Sequence, residues 1–230
     1  MKYRHLFFDL DHTLWDFDRN STESIAELYD AHRLGDVGIA SAAEFSRHFI
    51  AINRQLWADY DRNLLTHTYI RANRFALVFQ SLGVDASAIQ ADLNAEYLRL
   101  LAGKPHLLES AREVLDHLKD RYTMHIITNG FAEIQAVKMN SADISRYFTH
   151  VVSNGVVDAK KPSPVIFQYA LNISQADVAE SLMIGDSYEA DILGAKGVGM
   201  DTVFYNTAGA VVDDPPTYDI RHWDELIAIL

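Results

Sequence analysis

The sequence predicts an α/β protein: a mostly parallel sheet covered on both faces by helices, with a second, all-helical unit inserted just after the first strand. Three observations predict it. The apolar run Leu6-Phe7-Phe8 is too short for a helix, ends in acids and reads as a buried strand. From about Asn20 to Leu101, apolar residues recur at helical spacing with no strand signal between them. From Ala111 onward, short apolar runs alternate with helical patterns, which marks strands joined by helical crossovers and hence parallel pairing.

In the helical stretch, Ile25, Leu28, Tyr29 and His32 share one face, and Phe45, Phe49, Ile52, Leu56 and Tyr60 make a second. Tyr69 to Leu82 reads as a third helix, and Ile89, Leu93, Tyr97 and Leu100 mark a fourth. Ser21 and Ser41 are the expected N-caps of the first two, each with an acid near N2 or N3. The breaker-rich Ala102-Gly103-Lys104-Pro105-His106 and the stretch from Trp15 to Asp18 are expected to carry the chain between units. That assigns residues 1–16 and 104–230 to the α/β core and 17–103 to the helical unit. In the core, strands are expected at Thr123 to Thr128, Phe148 to Val152, Leu182 to Ile184 and Thr202 to Phe204. Helices are expected around Ala111 to Leu118, Phe131 to Asn140, Pro164 to Leu171, Tyr188 to Ala195 and Trp223 to Leu230, with proline tolerated in the first turn of the third. Asp213-Asp214-Pro215-Pro216 reads as a surface turn.

Composition narrows the function classes. Apolar residues make up 49% of the 230, enough for a sizeable core in one large domain or two small ones. A formal net charge of -12 argues against binding a nucleic-acid polymer, whose phosphates need clustered Lys and Arg. A small anionic substrate remains open, because a local site can be positive in a negative protein. With no cysteine there is no disulfide framework, thiolate metal site or thiol nucleophile. The opening residues lack the longer apolar core of a signal peptide, and nothing approaches the roughly 18 apolar residues of a membrane span. The expectation is a cytoplasmic protein without a membrane partner, monomer or homodimer.

The acids carry the chemistry. Asp9 and Asp11 stand at the carboxyl end of the first strand, where open parallel sheets place ligands. Residues i and i+2 of a strand face one side, so the two converge if strand geometry persists, and a tight turn would re-aim one of them. Two carboxylates about 4 Å apart repel by roughly 4 kcal/mol at an effective dielectric near 20, so a shared proton or cation is expected. Three further clusters fall at strand ends: Thr128-Asn129-Gly130, Lys160-Lys161-Pro162-Ser163-Pro164 and Gly185-Asp186-Ser187-Tyr188-Glu189-Ala190-Asp191. Each alone reads as an ordinary turn, a solvated charge pair or a helix cap. Together they bring up to four acids, a hydroxyl and a lysine to one location type. Oxygen donors without Cys or clustered His point to a hard cation, Mg²⁺ before Zn²⁺, and that set suits phosphoryl transfer.

Asp9-x-Asp11-x-Thr13, Thr128-Asn129-Gly130, Lys161-Pro162 and Gly185-Asp186-xxxx-Asp191 resemble, in order and across essentially the whole chain, the motifs of the haloacid dehalogenase-like hydrolase superfamily. The inserted helices resemble the small cap of one large branch. The resemblance implies a Rossmann-like parallel-sheet core with an inserted α-helical cap domain, and it implies roles. Asp9 is the nucleophile that forms an aspartyl-phosphate, and Asp11 is the general acid and then base. Mg²⁺ is held by Asp9, the backbone carbonyl of Asp11 and Asp186, with Asp191 an auxiliary acid. Thr128 and the Asn129 amide grip the phosphoryl oxygens, and Lys161 neutralises charge between them and Asp9. A carboxylate on the metal stays ionised while its neighbour is pushed towards the neutral form, which suits this division.

Asp11 favours a phosphatase or phosphomutase over a dehalogenase, which needs no proton donor there. Asn154 departs from the pattern where relatives often carry an acid, which leaves the conformation of its loop open. Lys160 is the alternative to Lys161, and the Lys-Pro pairing favours Lys161. The segments around Asp9 and Asp186 are most similar to pyrimidine nucleoside 5′-monophosphatases, so the implied partner is a small phosphorylated metabolite, a nucleotide. Substrate choice is expected to lie with the cap, with Trp15 and Phe17 as candidates to stack a ring and Arg74 to reach the substrate. The blander readings are aromatic packing and a solvated helix face. The rivals are a sugar-phosphate phosphatase or phosphomutase of the same fold, and a shorter, receiver-like phosphoacceptor module without the helical insert.

Overall fold

The computed structural model of the protein describes residues 2–85, 87, 89 and 91–230. They form two compact units: the residues up to Phe17 together with Pro105–Leu230, and Asp18–Lys104. Strand β1 (His5–Phe8) opens the first unit. The chain then runs through α1 (Phe17–Ala31), α2 (Ala42–Asp61), α3 (His67–Leu82) and α4 (Leu93–Ala102). Ser41 caps α2 as its sequence position predicts, accepting the Glu44 N–H at 3.1 Å. Ser21 does not cap α1. The helix starts four residues earlier, and Ser21 lies buried within it, paired with the Tyr97 hydroxyl at 2.9 Å. An interior serine with a buried partner is satisfied without a helix end, which is why its cap-like residue type misleads. The apolar faces of α2, α3 and α4 meet through Phe45, Phe49, Phe75, Phe79 and Tyr97, with ring centroids 4.6–6.2 Å apart. A smaller cluster, Leu56, Tyr60 and Ile70, closes the other end of the α2–α3 pair. The fourth helix begins at Leu93, so Ile89 stands outside it.

The α/β unit continues with α5 (Ala111–Leu118), β2 (Thr123–Thr128), α6 (Ala132–Ser141), β3 (Phe148–Ser153), the short α7 (Asn154–Val157), α8 (Pro164–Ser174) and β4 (Ser181–Gly185). A widely wound, π-helical turn Tyr188–Leu193 runs into α9 (Gly194–Lys196), followed by β5 (Asp201–Tyr205), β6 (Tyr218–Ile220) and α10 (Trp223–Ile229). The six strands form one sheet in the order β3-β2-β1-β4-β5-β6, every pair parallel. β1 lies inside the sheet, which is why Leu6, Phe7 and Phe8 are all fully buried instead of alternating. Phe7 joins a core of Ile127, Val152, Ile166, Phe167 and Met183. Phe8 meets Phe148 and Trp223, at 6.1 and 6.2 Å between ring centroids.

The chain runs outward from β1 to β3 on one side, then returns to β4 on the other side of β1. The β1–β4 boundary is therefore the point where the strand order reverses, and a crevice for ligands opens at the carboxyl ends there. Phe8 is level with Ile126 and Ile184, so the residues after β1, β2 and β4 emerge together. Among the described residues, no helix is long and apolar enough to cross a membrane.

Candidate active site

Asp9 continues the ladder for one residue, its N–H donating to the Ile184 carbonyl at 2.9 Å. The chain then turns. His12 sits at φ 63°, a left-handed conformation that histidine tolerates better than most residues, and Trp15 N–H closes the loop onto the Leu10 carbonyl at 2.8 Å. This turn re-aims Asp11. The two side chains go to different lysines, Asp9 to Lys161 and Asp11 to Lys138.

Asp9 faces Lys161. The buried ammonium donates to Asp9 Oδ1 at 2.6 Å, to Asp191 Oδ1 at 2.5 Å and to the Ile127 carbonyl at 2.9 Å, which uses all three of its N–H groups. Burial opposes the charge on Lys161, yet the carboxylates of Asp191 and Asp9 outweigh it and raise its pKa. The Asn129 side chain fixes the backbone of this lysine, accepting the Lys161 N–H at 2.8 Å and donating to the Lys161 carbonyl at 3.0 Å. Lys161, not Lys160, is thus the lysine brought to the acids. Asn154, the departure from the family pattern, opens the short α7.

Asp186 follows β4 and is tied to the first turn by Thr13. Asp186 N–H donates to Thr13 Oγ1 at 3.1 Å, and the hydroxyl donates to Asp186 Oδ1 at 3.0 Å. Thr13 is fully buried, and this exchange explains a threonine two residues after the second acid. Asp191 is fully buried as well, its second oxygen taking the Ser187 N–H at 3.0 Å. A Cβ on Gly185 would collide with that carboxylate, so the glycine makes the room for it.

Asp9, Asp186 and Asp191 each offer a carboxylate oxygen, and these oxygens lie within 4.8 Å of one another. Three carboxylates face one ammonium. Burial first, then Asp191 and Asp11, override Lys161 and push the Asp9 pKa up to about 6. Burial and the Asp9 charge do the same for Asp186, also to about 6. Asp191 is raised by burial, against Lys161. An all-oxygen donor set with unbalanced negative charge fits a hard divalent cation.

Asp11 goes the other way. Burial would raise its pKa, but Lys138 Nζ lies 2.6 Å from Oδ1 and Gln135 Nε2 2.8 Å from Oδ2, and together they hold it below the usual carboxylate range. The same Gln135 nitrogen donates to Thr128 Oγ1 at 2.8 Å, and that oxygen also accepts the Gly130 N–H at 3.0 Å. With both lone pairs used, the Thr128 hydroxyl has its proton left to donate. Gln135 and Lys138 were not singled out from the sequence. Their signal was there: they stand three residues apart on one face of the helix that follows Thr128-Asn129-Gly130.

Trp15 and Arg74 do not take the places expected of them. Trp15 is fully buried and lies under the Lys138 ammonium, 4.4 Å from its centroid, so the ring serves the chain's own cation and is not presented to a substrate. Phe17 is partly buried and packs on His12, with centroids 4.9 Å apart. Arg74 is neither solvated nor presented at a surface. It is buried within the helical unit, where Nη1 donates to Asn53 Oδ1 at 2.9 Å and Nη2 to Asn94 Oδ1 at 2.5 Å. Its guanidinium lies 4.9 Å from the Tyr97 ring centroid. Two amide oxygens and a ring compensate its burial, a structural use of arginine.

The model of the haloacid dehalogenase-like hydrolase family matches residues 3–199. Over the whole chain the sequence is 29% identical to pyrimidine 5′-nucleotidase PynA of Streptococcus pneumoniae, covering 96% of that protein. It is 30% identical to pyrimidine 5′-nucleotidase YjjG of Escherichia coli, covering 99% of it. Over 87% of the chain it is 32% identical to a glyceraldehyde 3-phosphate phosphatase of Pyrococcus abyssi, covering 80% of that protein. The solved structure of YfnB from Bacillus subtilis, bound to magnesium, superposes with a TM-score of 0.87 at 26% identity, covering 100% of this chain and 99% of that one. The family match takes in all four strand-end clusters, from Asp9 to Asp191. An enzyme family is matched, so the receiver-like reading is set aside, and the chain belongs to the haloacid dehalogenase-like hydrolases.

Proposed function

We propose that this hydrolase is a Mg²⁺-dependent phosphomonoesterase working through an aspartyl-phosphate on Asp9, with nucleoside 5′-monophosphates as its substrate class. The observation that carries the mechanism is the placement of Asp9: a carboxylate with one oxygen fixed by a buried lysine, inside a cluster of acids, with a second acid two residues on. The substrate class is supported by the two full-length pyrimidine nucleotidase relatives.

Lys161 fixes the rotation of the Asp9 carboxylate for attack on phosphorus. Asp11, held ionised in the free protein, takes up a proton from the monoanionic phosphate ester as it binds. The phosphorus–oxygen bond to the leaving group then breaks, and the departing alkoxide takes that proton from Asp11. Asp11 then removes a proton from water as it attacks the phosphoryl group, which releases inorganic phosphate and restores Asp9. The Thr128 hydroxyl donates to a phosphoryl oxygen. Asp9, Asp186 and the Asp11 carbonyl would hold the Mg²⁺, which supplies positive charge at the phosphoryl oxygens.

The test is phosphate release from pyrimidine and purine nucleoside monophosphates, sugar phosphates, phosphoglycolate and an aryl phosphate. Each is run with Mg²⁺, with chelator and with Asp9→Asn. The expected result is Mg²⁺-dependent release that favours pyrimidine monophosphates and is lost in the variant. Undiminished activity in Asp9→Asn would falsify the mechanism. Release confined to sugar phosphates would keep the mechanism and replace the substrate class, the reading that the glyceraldehyde 3-phosphate phosphatase relative favours. A product phosphorylated at a new position with little free phosphate would mark a mutase.

A further inference from the structure

Both oxygens of Asp11 are held from a single helix face. Lys138 Nζ takes Oδ1 at 2.6 Å and Gln135 Nε2 takes Oδ2 at 2.8 Å, so the carboxylate cannot rotate without breaking one of the two. Neither partner is itself free to move. Lys138 is buried, and its ammonium is enclosed by the Asp11 carboxylate and the rings of Trp15 and Phe17, at 4.4 and 5.6 Å from their centroids. That enclosure removes the freedom a long side chain normally keeps. Gln135 is fully buried, and its amide occupies the space a Cβ on Gly130 would fill. Its Oε1 finds no partner among the described residues, so the side chain is held for the two hydrogen bonds its nitrogen donates. The second of these goes to Thr128 Oγ1.

We propose that Lys138 and Gln135 are positioning residues. They set the Asp11 carboxyl group at the angle from which, once it has taken up a proton from the bound phosphate monoester, it delivers that proton to the leaving oxygen, and Gln135 locks that angle to the Thr128 hydroxyl that meets the phosphoryl group. The proposal rests on the phosphomonoesterase reading above. A general acid within hydrogen-bond reach but poorly aimed loses most of its effect, so aim is a separate requirement from presence. Trp15 acts one step further out, by seating Lys138.

The dependence on the leaving group tests it. An alkyl phosphate, whose alkoxide needs a proton as it departs, is compared with nitrophenyl phosphate, whose phenolate leaves without one. In Lys138→Met, kcat for the alkyl ester is expected to fall by about 10²-fold, the lower range for one proton transfer, with KM little changed. The nitrophenyl ester should keep its rate within about 3-fold, because its departure needs no aimed proton. Lys138→Arg should recover part of the alkyl rate. In an Asp11→Asn background, Lys138→Met should remove nothing further, since it acts through Asp11. Gln135→Met carries the same comparison if Lys138→Met does not fold. It should add a rise in KM for both esters, because Thr128 loses its second donor. An equal fall for both ester classes, or no fall for either, overturns the proposal. A wild type that releases phosphate from neither ester removes the phosphomonoesterase reading itself, and that outcome is visible without any variant.

Discussion

Asp9 and Asp11 are separated by one residue and carry opposite electrostatic fates. Asp9 shares its lysine with Asp191 and is raised to about 6, whereas Asp11 has Lys138 nearly to itself and is lowered. The turn at His12 produces the difference by sending the two side chains to different cations. A second residue-scale case lies within the sheet. His125 is fully buried on β2, stacked on Phe7 at 4.7 Å and on His150 at 5.4 Å. Its ring also contacts His5 at 3.2 Å and Ser174 at 3.3 Å. Burial, reinforced by His5 and His150, depresses its pKa to about 3. In the unfolded chain the ring takes a proton near pH 6.5. Below that pH the unfolded state binds the extra proton, so His125 contributes stability above pH 6.5 that is lost as pH falls towards 3. The loss amounts to at most about 1.4 kcal/mol per pH unit. His125→Phe should flatten the slope of unfolding free energy between pH 6.5 and 5 in urea titrations. An unchanged slope would mean that the ring binds its proton in the fold as it does in the unfolded chain.

Among the elements, the junction of β4 with the wide turn after it is tightly constrained. Gly185 ends the strand, and the π-helical winding of Tyr188–Leu193 places Asp191 back over it. The helix expected there is wound wide, and the wider turn admits one more residue and swings the carboxylate onto Lys161 and the Ser187 N–H. Gly185→Ala should cost about 1–3 kcal/mol by overpacking. It should also remove activity, because the displaced Asp191 no longer anchors Lys161. Denaturant midpoints and phosphate release, measured on the same preparation, check both. A fully active variant of wild-type stability would show that the site absorbs a methyl. β6 escaped the sequence reading because three residues, Tyr218 to Ile220, give no readable alternation, and an edge position is settled by the neighbour it pairs with.

At the scale of the whole molecule, the acid cluster sets stability against function. Asp186 sits at about 6, above its unfolded value, so at neutral pH its charge opposes folding when no cation is bound. Asp186→Asn should therefore raise the metal-free unfolding midpoint while abolishing the response to Mg²⁺. In the wild type, Mg²⁺ at 100 times its dissociation constant adds about 2.7 kcal/mol. That corresponds to roughly 5–10 °C for a chain of this size, and a chelator should reverse it. A midpoint indifferent to Mg²⁺ would remove the cation from the site.

The sequence by itself determined the parallel α/β architecture with its helical insertion. It also determined the order of the strand-end clusters, because periodicity and residue type are local properties carried by the chain. Leu6 to Phe8 must be buried wherever the sheet lies, and Lys-Pro marks its lysine without reference to anything distant. Only the tertiary structure decided that Asp11 takes Lys138 and that Lys161 is shared between Asp9 and Asp191. Lys138 is 127 residues from Asp11 and Lys161 is 152 from Asp9, and a charge pair across such separations has no local signature. The same holds for Ser21, Trp15 and Arg74. Each carries a residue type that suggests a cap, a platform or a contact, and each is claimed by neighbours on other turns or helices. Partner choice is a matter of packing and desolvation, and the fold fixes both only once the elements have come together.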